Sequence, residues 1–307
     1  MPDTQPTTRR TRFVCISDTH NGCPGGAFKL PKGDVLIHAG DMTNQGSFSE
    51  LKKTVDWLEE ADFEKKIIVA GNHDITLDSD FYSQYGPSFH NQNPQDPRRC
   101  QELLEQSPSI TWLKHEAAVV NLTSPTGPRT TFKIFGSPYS PADGMWAFGY
   151  NADEAKHIWD PIPLDADIVL THTPPINHVD QRTYGQSVGC KVLREALWRV
   201  RPRMAICGHV HEGRGAEHVL WELGDINHEK YENRVERWED SGRNNKQISL
   251  VNLTAKGRNP LNNDGALGRR ETCIINAAIA ASSYPHTGGR KFNKPIVVDI
   301  DLPVWKD

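Results

Sequence analysis

Five times in this chain a short apolar run ends in a tight polar cluster that carries a carboxylate, an amide or an imidazole. Phe13-Val14-Cys15-Ile16-Ser17 runs into Asp18-Thr19-His20, and Val35-Leu36-Ile37-His38-Ala39 into Gly40-Asp41. Ile67-Ile68-Val69-Ala70 runs into Gly71-Asn72-His73-Asp74, and Ile168-Val169-Leu170 into Thr171-His172. Met204-Ala205-Ile206-Cys207 runs into Gly208-His209-Val210-His211. Runs of this length bounded by turn residues read as buried strands. Glycine permits the tight turn that follows and lets backbone approach a ligand. One such cluster alone is a turn with a surface histidine. Five in order place polar side chains just past the carboxyl ends of strands, the edge where open α/β sheets build their sites.

Between these clusters the pattern alternates. Residues 49–60 read as an amphipathic helix with Leu51, Val55, Trp57 and Leu58 on one face and Ser47 or Ser49 as its cap. Residues 152–159 and 188–200 read as two more helices, the second with Val192, Leu193, Ala196, Leu197 and Val200 on one face. Short buried strands alternating with helices predict a parallel central sheet with helices outside. Residues 110–113, 116–122 and 130–135 read as short strands of a second sheet. The polar, proline-containing stretch 78–108 reads as an excursion over the site. From about 221 to 270 Glu, Asn, Arg, Lys and Gly dominate, which suggests a partly disordered insertion, since structureless loops of that length are uncommon in compact domains. Residues 272–276 and 296–302 return to strand.

The ordered set Asp18/His20, Gly40-Asp41 with Gly46, Gly71–Asp74, Thr171-His172 and Gly208–His211 resembles the calcineurin-like metallophosphoesterases. Gly136-Ser137-Pro138, Val188-Gly189-Cys190 and Gly208–Gly213 are most similar to its small metallophosphoesterase-domain (MPPED-type) group. The resemblance implies an α/β fold, a four-layer α/β/β/α sandwich of two mixed sheets with the metal site at the carboxyl ends of the strands. Residues 12–307 read as one domain, since candidate ligands spread from 18 to 211 must converge, and the polar stretch 1–11 reads as a disordered leader. The resemblance also implies a metal site in which Asp18, His20 and His211 hold one ion, Asn72, His172 and His209 hold another, and Asp41 bridges. His73 is expected beside the leaving-group oxygen, with Asp74 either orienting its ring or forming the turn. The residue types agree with that chemistry. Two divalent cations roughly 3.5–4 Å apart activate hydroxide and clamp an in-line displacement at phosphorus. Asp-x-His and His-x-His would put alternate side chains on one side of an extended segment, although the family assigns His209 and His211 to different ions. Mixed nitrogen and oxygen donors suit manganese or iron, with zinc third. Many superfamily members carry a carboxylate where this chain has Asn44, which weakens a protein Ser/Thr phosphatase reading. Tyr139 and Trp146 are candidates for an aromatic wall against the substrate, and His38 for a partner of Asp41. Arg98, Arg99 and Arg182 could meet a second phosphate charge.

Formal net charge is −4 over 307 residues, with Lys+Arg 35 against Asp+Glu 39. That balance argues against an extended nucleic-acid surface, and no stretch has the apolar length of a membrane span. The first residues are polar, with no apolar core of a secretory signal. Six scattered cysteines without a C-x-x-C pair suit a reducing cytoplasm. The expected activity is hydrolysis of a phosphodiester in a small or nucleotide-like substrate. Phosphomonoesterase or nucleotidase action on the same site is an alternative, as is a catalytically slow scaffold on this fold, with the 221–270 insertion as a protein-binding arm.

Overall fold

The computed structural model describes residues 7–224, 230–257, 261, 268–281 and 289–305. The chain enters as β1 (Thr8–Ile16), β2 (Val35–Ala39), α1 (Phe48–Glu60) and β3 (Lys65–Val69). Two helices, α2 (Ser79–His90) and α3 (Pro97–Glu105), lead to β4 (Ile110–Trp112), β5 (Glu116–Asn121) and β6 (Thr131–Ser137). A small ribbon of β7 (Ser140–Pro141) and β8 (Gly149–Tyr150) precedes α4 (Ala155–Trp159), β9 (Ile168–Thr171), α5 (Lys191–Val200) and β10 (Met204–Cys207). Then come β11 (Gly215–Trp221), β12 (Glu232–Arg237), β13 (Ser249–Asn252), β14 (Glu271–Asn276) and β15 (Ile296–Pro303).

The strands form two mixed sheets, in the orders β13-β15-β1-β2-β3-β4 and β12-β11-β14-β10-β9-β6-β5. Alternation along each strand decides the layers. Phe13, Cys15, Val35, Ile37, Ile67 and Val69 face Ile134, Ile168, Leu170, Met204, Ile206 and Ile275 in a core between the sheets. The other face of the first sheet, with Val14, Ile16, Leu36 and Ile68, packs on Leu51, Val55 and Leu58 of α1 and on Cys100 and Leu104 of α3. The outer face of the second sheet, with Phe135, Val169, Ala205 and Ile274, packs on Trp159 of α4 and on Leu193, Ala196, Leu197 and Val200 of α5. The result is the four-layer α/β/β/α sandwich. Each fully buried aliphatic side chain contributes about 1.5–3 kcal/mol relative to exposure. That is why the central strands read as continuous apolar runs rather than alternating ones. All six cysteines are free. No helix among the described residues is long and apolar enough to cross a membrane.

Several expectations are corrected. Most of the stretch 78–108, taken as an excursion, is two helices, Ser79–His90 and Pro97–Glu105. Asp78 caps α2 by accepting from Phe81 N, and Asp96 caps α3 by accepting from Arg98 N and Arg99 N. Pro97 sits in the first turn of α3, where its missing N–H costs nothing, and α2 tolerates Pro87 internally. Of the three short strands given to a second sheet, β4 instead pairs with β3 in the first. The polar stretch near 221–270 supplies β12 to one sheet edge and β13 to the other sheet; residues 225–229, 258–260 and 262–267 of it lie outside the described residues. An edge strand needs few apolar side chains, so Glu232–Arg237 gave no strand signal. Of the expected leader, residues 1–6 lie outside the described set, and Thr8–Thr11 extend β1 against β15.

Candidate metal centre

β1, β2 and β3 are parallel neighbours, as are β9 and β10. Their carboxyl ends therefore deliver Asp18 and His20, Asp41, Asn72 and His73, His172, and His209 and His211 to one end of both sheets. The backbone there is unusual. Asp18 (φ 51°), His20 (φ 42°), Asp41 (φ 53°) and His209 (φ 66°) are all left-handed. Such residues cost of order 1–3 kcal/mol each and cluster where surrounding structure over-determines them. This corrects the same-side argument for Asp18/His20 and His209/His211, because neither segment is extended. His209 turns to Asn72 and His211 to His20 and Asp18.

The donors form two sets with Asp41 between. In one, His20 Nε2 lies 3.2 Å from His211 Nε2, and His211 Nε2 lies 3.4 Å from Asp18 Oδ1. In the other, Asn72 Oδ1 is 2.9 Å from both His172 Nε2 and His209 Nδ1. Asp41 reaches across, with Oδ2 3.8 Å from His20 Nε2 and Oδ1 3.4 Å from His172 Nε2. Asp18, Asp41 and His172 are buried. Glycines allow this density. A Cβ at Gly40 would stand 2.6 Å from His172 Nδ1, and one at Gly71 would overlap Asp41.

The protonation states fit cations. Thr43 O can only accept, so the 3.1 Å contact to His20 Nδ1 puts the proton there and turns the Nε2 lone pair inward. The 2.8 Å contact of His172 Nδ1 with Ala39 O does the same for His172. Burial holds His20 and His209 down to about 4 despite the nearby carboxylates, so both rings are neutral near pH 7, the form in which an imidazole can take a cation. Burial opposes charge on His172 too, but Asp41 raises it to about 9. In that state a proton does between His172 Nε2 and Asp41 what a divalent cation would do. Asp18 falls to about 2, its burial outweighed by His211 and His172. Asp18, His20 and His211, with Asp41 and His172, offer overlapping groups of donor atoms within 4.8 Å of one another, and His73 joins His20 and Asp41 in a third such group.

His73 Nδ1 lies 2.7 Å from the Asn44 carbonyl, and its N–H donates to Asp41 Oδ1 at 2.8 Å. Asp74 does not orient the ring of His73. Its carboxylate accepts from Gly71 N, Met42 N, Thr43 N and Thr43 Oγ1, tying the β2 and β3 turns together. Burial and the charge on Asp41 raise Asp74 to about 6 against those bonds.

A cleft of ≈560 Å³ opens over the donors, lined among others by His73, Trp146, Arg182 and Arg290. The Trp146 ring lies 3.9 Å from that of His73, tilted by 31°. Tyr139 does not line this cleft; it stands in a neighbouring one with Phe148 and Asp78. His38 is buried below the floor, 3.0 Å from Thr19 Oγ1 rather than bonded to Asp41. Arg98 pairs with Glu102 and Glu105, and Arg99 lies over Phe48, both away from the cleft. Arg290 was missed, since it follows no strand and belongs to no motif.

Residues 11–213 match the family model described as calcineurin-like phosphoesterase. The chain is 37% identical over 215 residues to metallophosphoesterase domain-containing protein 1 of Homo sapiens, and equally to that of Mus musculus, covering 67% of this chain and 62% of each relative. It is also 37% identical over 234 residues, 76% of this chain, to a probable rhamnogalacturonate lyase C of Emericella nidulans, of which the match covers 20%. The chain thus spans a fifth to about three fifths of these relatives.

Proposed function

We propose that this chain, which belongs to the calcineurin-like phosphoesterase family, hydrolyses phosphodiesters of small or nucleotide-like substrates with two divalent ions. The observation that carries this is the pair of donor sets, His20/His211/Asp18 and Asn72/His172/His209, with a carboxylate of Asp41 within 3.8 Å of one and 3.4 Å of the other. Those seven residues would hold the ions, with manganese or iron preferred to zinc for mixed nitrogen and oxygen donors. When bound, the ions would supply a nucleophile from water at neutral pH and neutralise charge on the phosphoryl oxygens.

The chain's own groups do the rest. His73 Nδ1–H donates to the Asn44 carbonyl, which makes Nε2 the ring nitrogen left to exchange a proton with the leaving-group oxygen. Trp146 packs on the ring of His73 and fixes its tilt. The same ring offers an apolar wall to an aryl or nucleobase leaving group. Two carboxylates among four imidazoles and an amide leave a doubly dicationic site net positive, as a phosphate site requires. Six free thiols support placing this work in the cytoplasm.

Protein loaded with Mn²⁺ should hydrolyse bis(4-nitrophenyl) phosphate faster than 4-nitrophenyl phosphate. His73→Ala should lower kcat by about 100-fold or more with ion content unchanged by elemental analysis. Ion-replete wild type that is inert on both esters sinks the proposal, and a preference for the monoester reverses its diesterase half.

A further inference from the structure

Two guanidinium groups stand on the wall of the catalytic cleft, and they are differently engaged. Arg182 Nη2 meets Asp143 Oδ2 at 3.0 Å, so its charge is neutralised in place. Arg290 is held by neutral oxygens alone, with Nη1 donating to His20 O at 3.3 Å and Nη2 to Asn44 Oδ1 at 3.1 Å. Among the described residues no carboxylate pairs with it. A guanidinium has five N–H donors, so most of its fork remains unspent while two hydrogen bonds hold it at the cleft wall.

Those bonds place it close to the chemistry. His20 carries a donor of the centre, and the carbonyl of Asn44 accepts from His73 Nδ1–H. Asn44 cannot turn to offer Arg290 anything but its amide oxygen, because its Nδ2 donates to Glu50 Oε1 at 3.2 Å. Glu50 is committed to capping α1 and to Asn21. A carboxylate at position 44 would neutralise Arg290; the amide leaves it a net cation facing a cleft of ≈560 Å³, more room than one phosphoryl group fills.

We propose that Arg290 is a specificity-determining residue that receives a second phosphate of the substrate, next to the phosphoryl group that reacts. This rests on the phosphoesterase reading and narrows its substrates to those in which the disubstituted phosphate that reacts has a second phosphate beside it, the pyrophosphate-linked class. A planar fork binds such a group through paired hydrogen bonds.

The test is equilibrium binding to the Mn²⁺-loaded protein of two non-hydrolysable probes, methylenediphosphonate and methylphosphonate. Wild type should prefer the diphosphonate. Arg290→Met should cut that preference by about 10- to 100-fold, and Arg290→Lys should restore part of it, since charge survives without the fork. An unchanged ratio in R290M, or an equal loss for both probes, overturns the proposal. Wild-type turnover of bis(4-nitrophenyl) phosphate is scored alongside. If turnover is present and the ratio unchanged, only Arg290's role falls; if turnover is absent, the phosphoesterase reading falls and this proposal with it.

Discussion

Gly208 shows how little space the centre leaves. A methyl group there would overlap Ser17 Oγ and Asp18 Oδ2, and neither can retreat. Ser17 is bonded to the Ala39 carbonyl, and Asp18 to His209 N. Gly208→Ala should therefore cost about 1–3 kcal/mol, the usual penalty of overpacking, and lower ion content at fixed Mn²⁺. A melting scan with elemental analysis reads both, and a variant that melts and loads like wild type would show that Asp18 has room to move. Asp74→Ala strands three backbone N–H groups, at Gly71, Met42 and Thr43. It should cost about 3 kcal/mol or more in denaturant unfolding, at roughly 1–3 kcal/mol for each buried orphan. At this scale the residue types and their order along the chain were legible, because strand, glycine and polar cluster recur. The left-handed turns at Asp18, His20, Asp41 and His209 were not, since Asp and His are enriched at positive φ but mostly lie elsewhere. Of the two roles open to Asp74, the turn-forming one holds, with three backbone amides as its partners.

Among the described elements, β12 is attached through a titratable cluster. His178 is buried between Glu217 of β11, at 2.9 Å, and Glu232 of β12, at 3.2 Å. Burial disfavours its charge, yet the two carboxylates hold its pKa above the ordinary value. A raised histidine stabilises the fold fully below its unfolded pKa, about 6.5, and loses that contribution as pH rises through the folded value. Glu232 is the opposite case. Burial opposes its charge, but His178 and Arg194 lower its pKa, so its share is lost as pH falls below the unfolded value near 4.3. The triad should support β12 most between roughly pH 4.5 and 6.5. The stability gap between wild type and His178→Gln should be larger at pH 6 than at pH 9; an equal gap at both would mean that the ring is neutral throughout. Element type was readable wherever both faces are buried, as in β2 and β10. It was not readable where a strand lies at an edge, as in β12, or where prolines fall at permitted helix positions, as in α3.

Over the whole molecule, the donors divide between the two sheets. Asp18, His20, Asp41 and Asn72 come from the first, and His172, His209 and His211 from the second. Bound ions would thus tie the sheets at one end, in addition to the shared core. Removing them with a chelator should lower the melting temperature. An ion at 100 times its Kd contributes about 2.7 kcal/mol, and a melting curve indifferent to chelation would show that no ion ties the folded state. The residue pattern gave a parallel sheet covered by helices and some strands for a second sheet, and the family resemblance supplied the four-layer sandwich; which strand joins which sheet depends on contacts between distant segments, and so β4 and β13 were placed only by the structure.

The pairing of β1 with β15 has one more consequence. Thr8 stands opposite Pro303, and Thr7 O accepts from Val304 N at 2.9 Å, so the first and last described residues are neighbours on adjoining strands. A gene rewired to join them through a short glycine–serine linker, and reopened at the exposed turn between Thr126 and Gly127, would change the order of synthesis without moving a single ligand. Such a circular permutant should recover the parent's far-ultraviolet spectrum and ion content, which would make the new termini, remote from the cleft, a place to fuse a reporter.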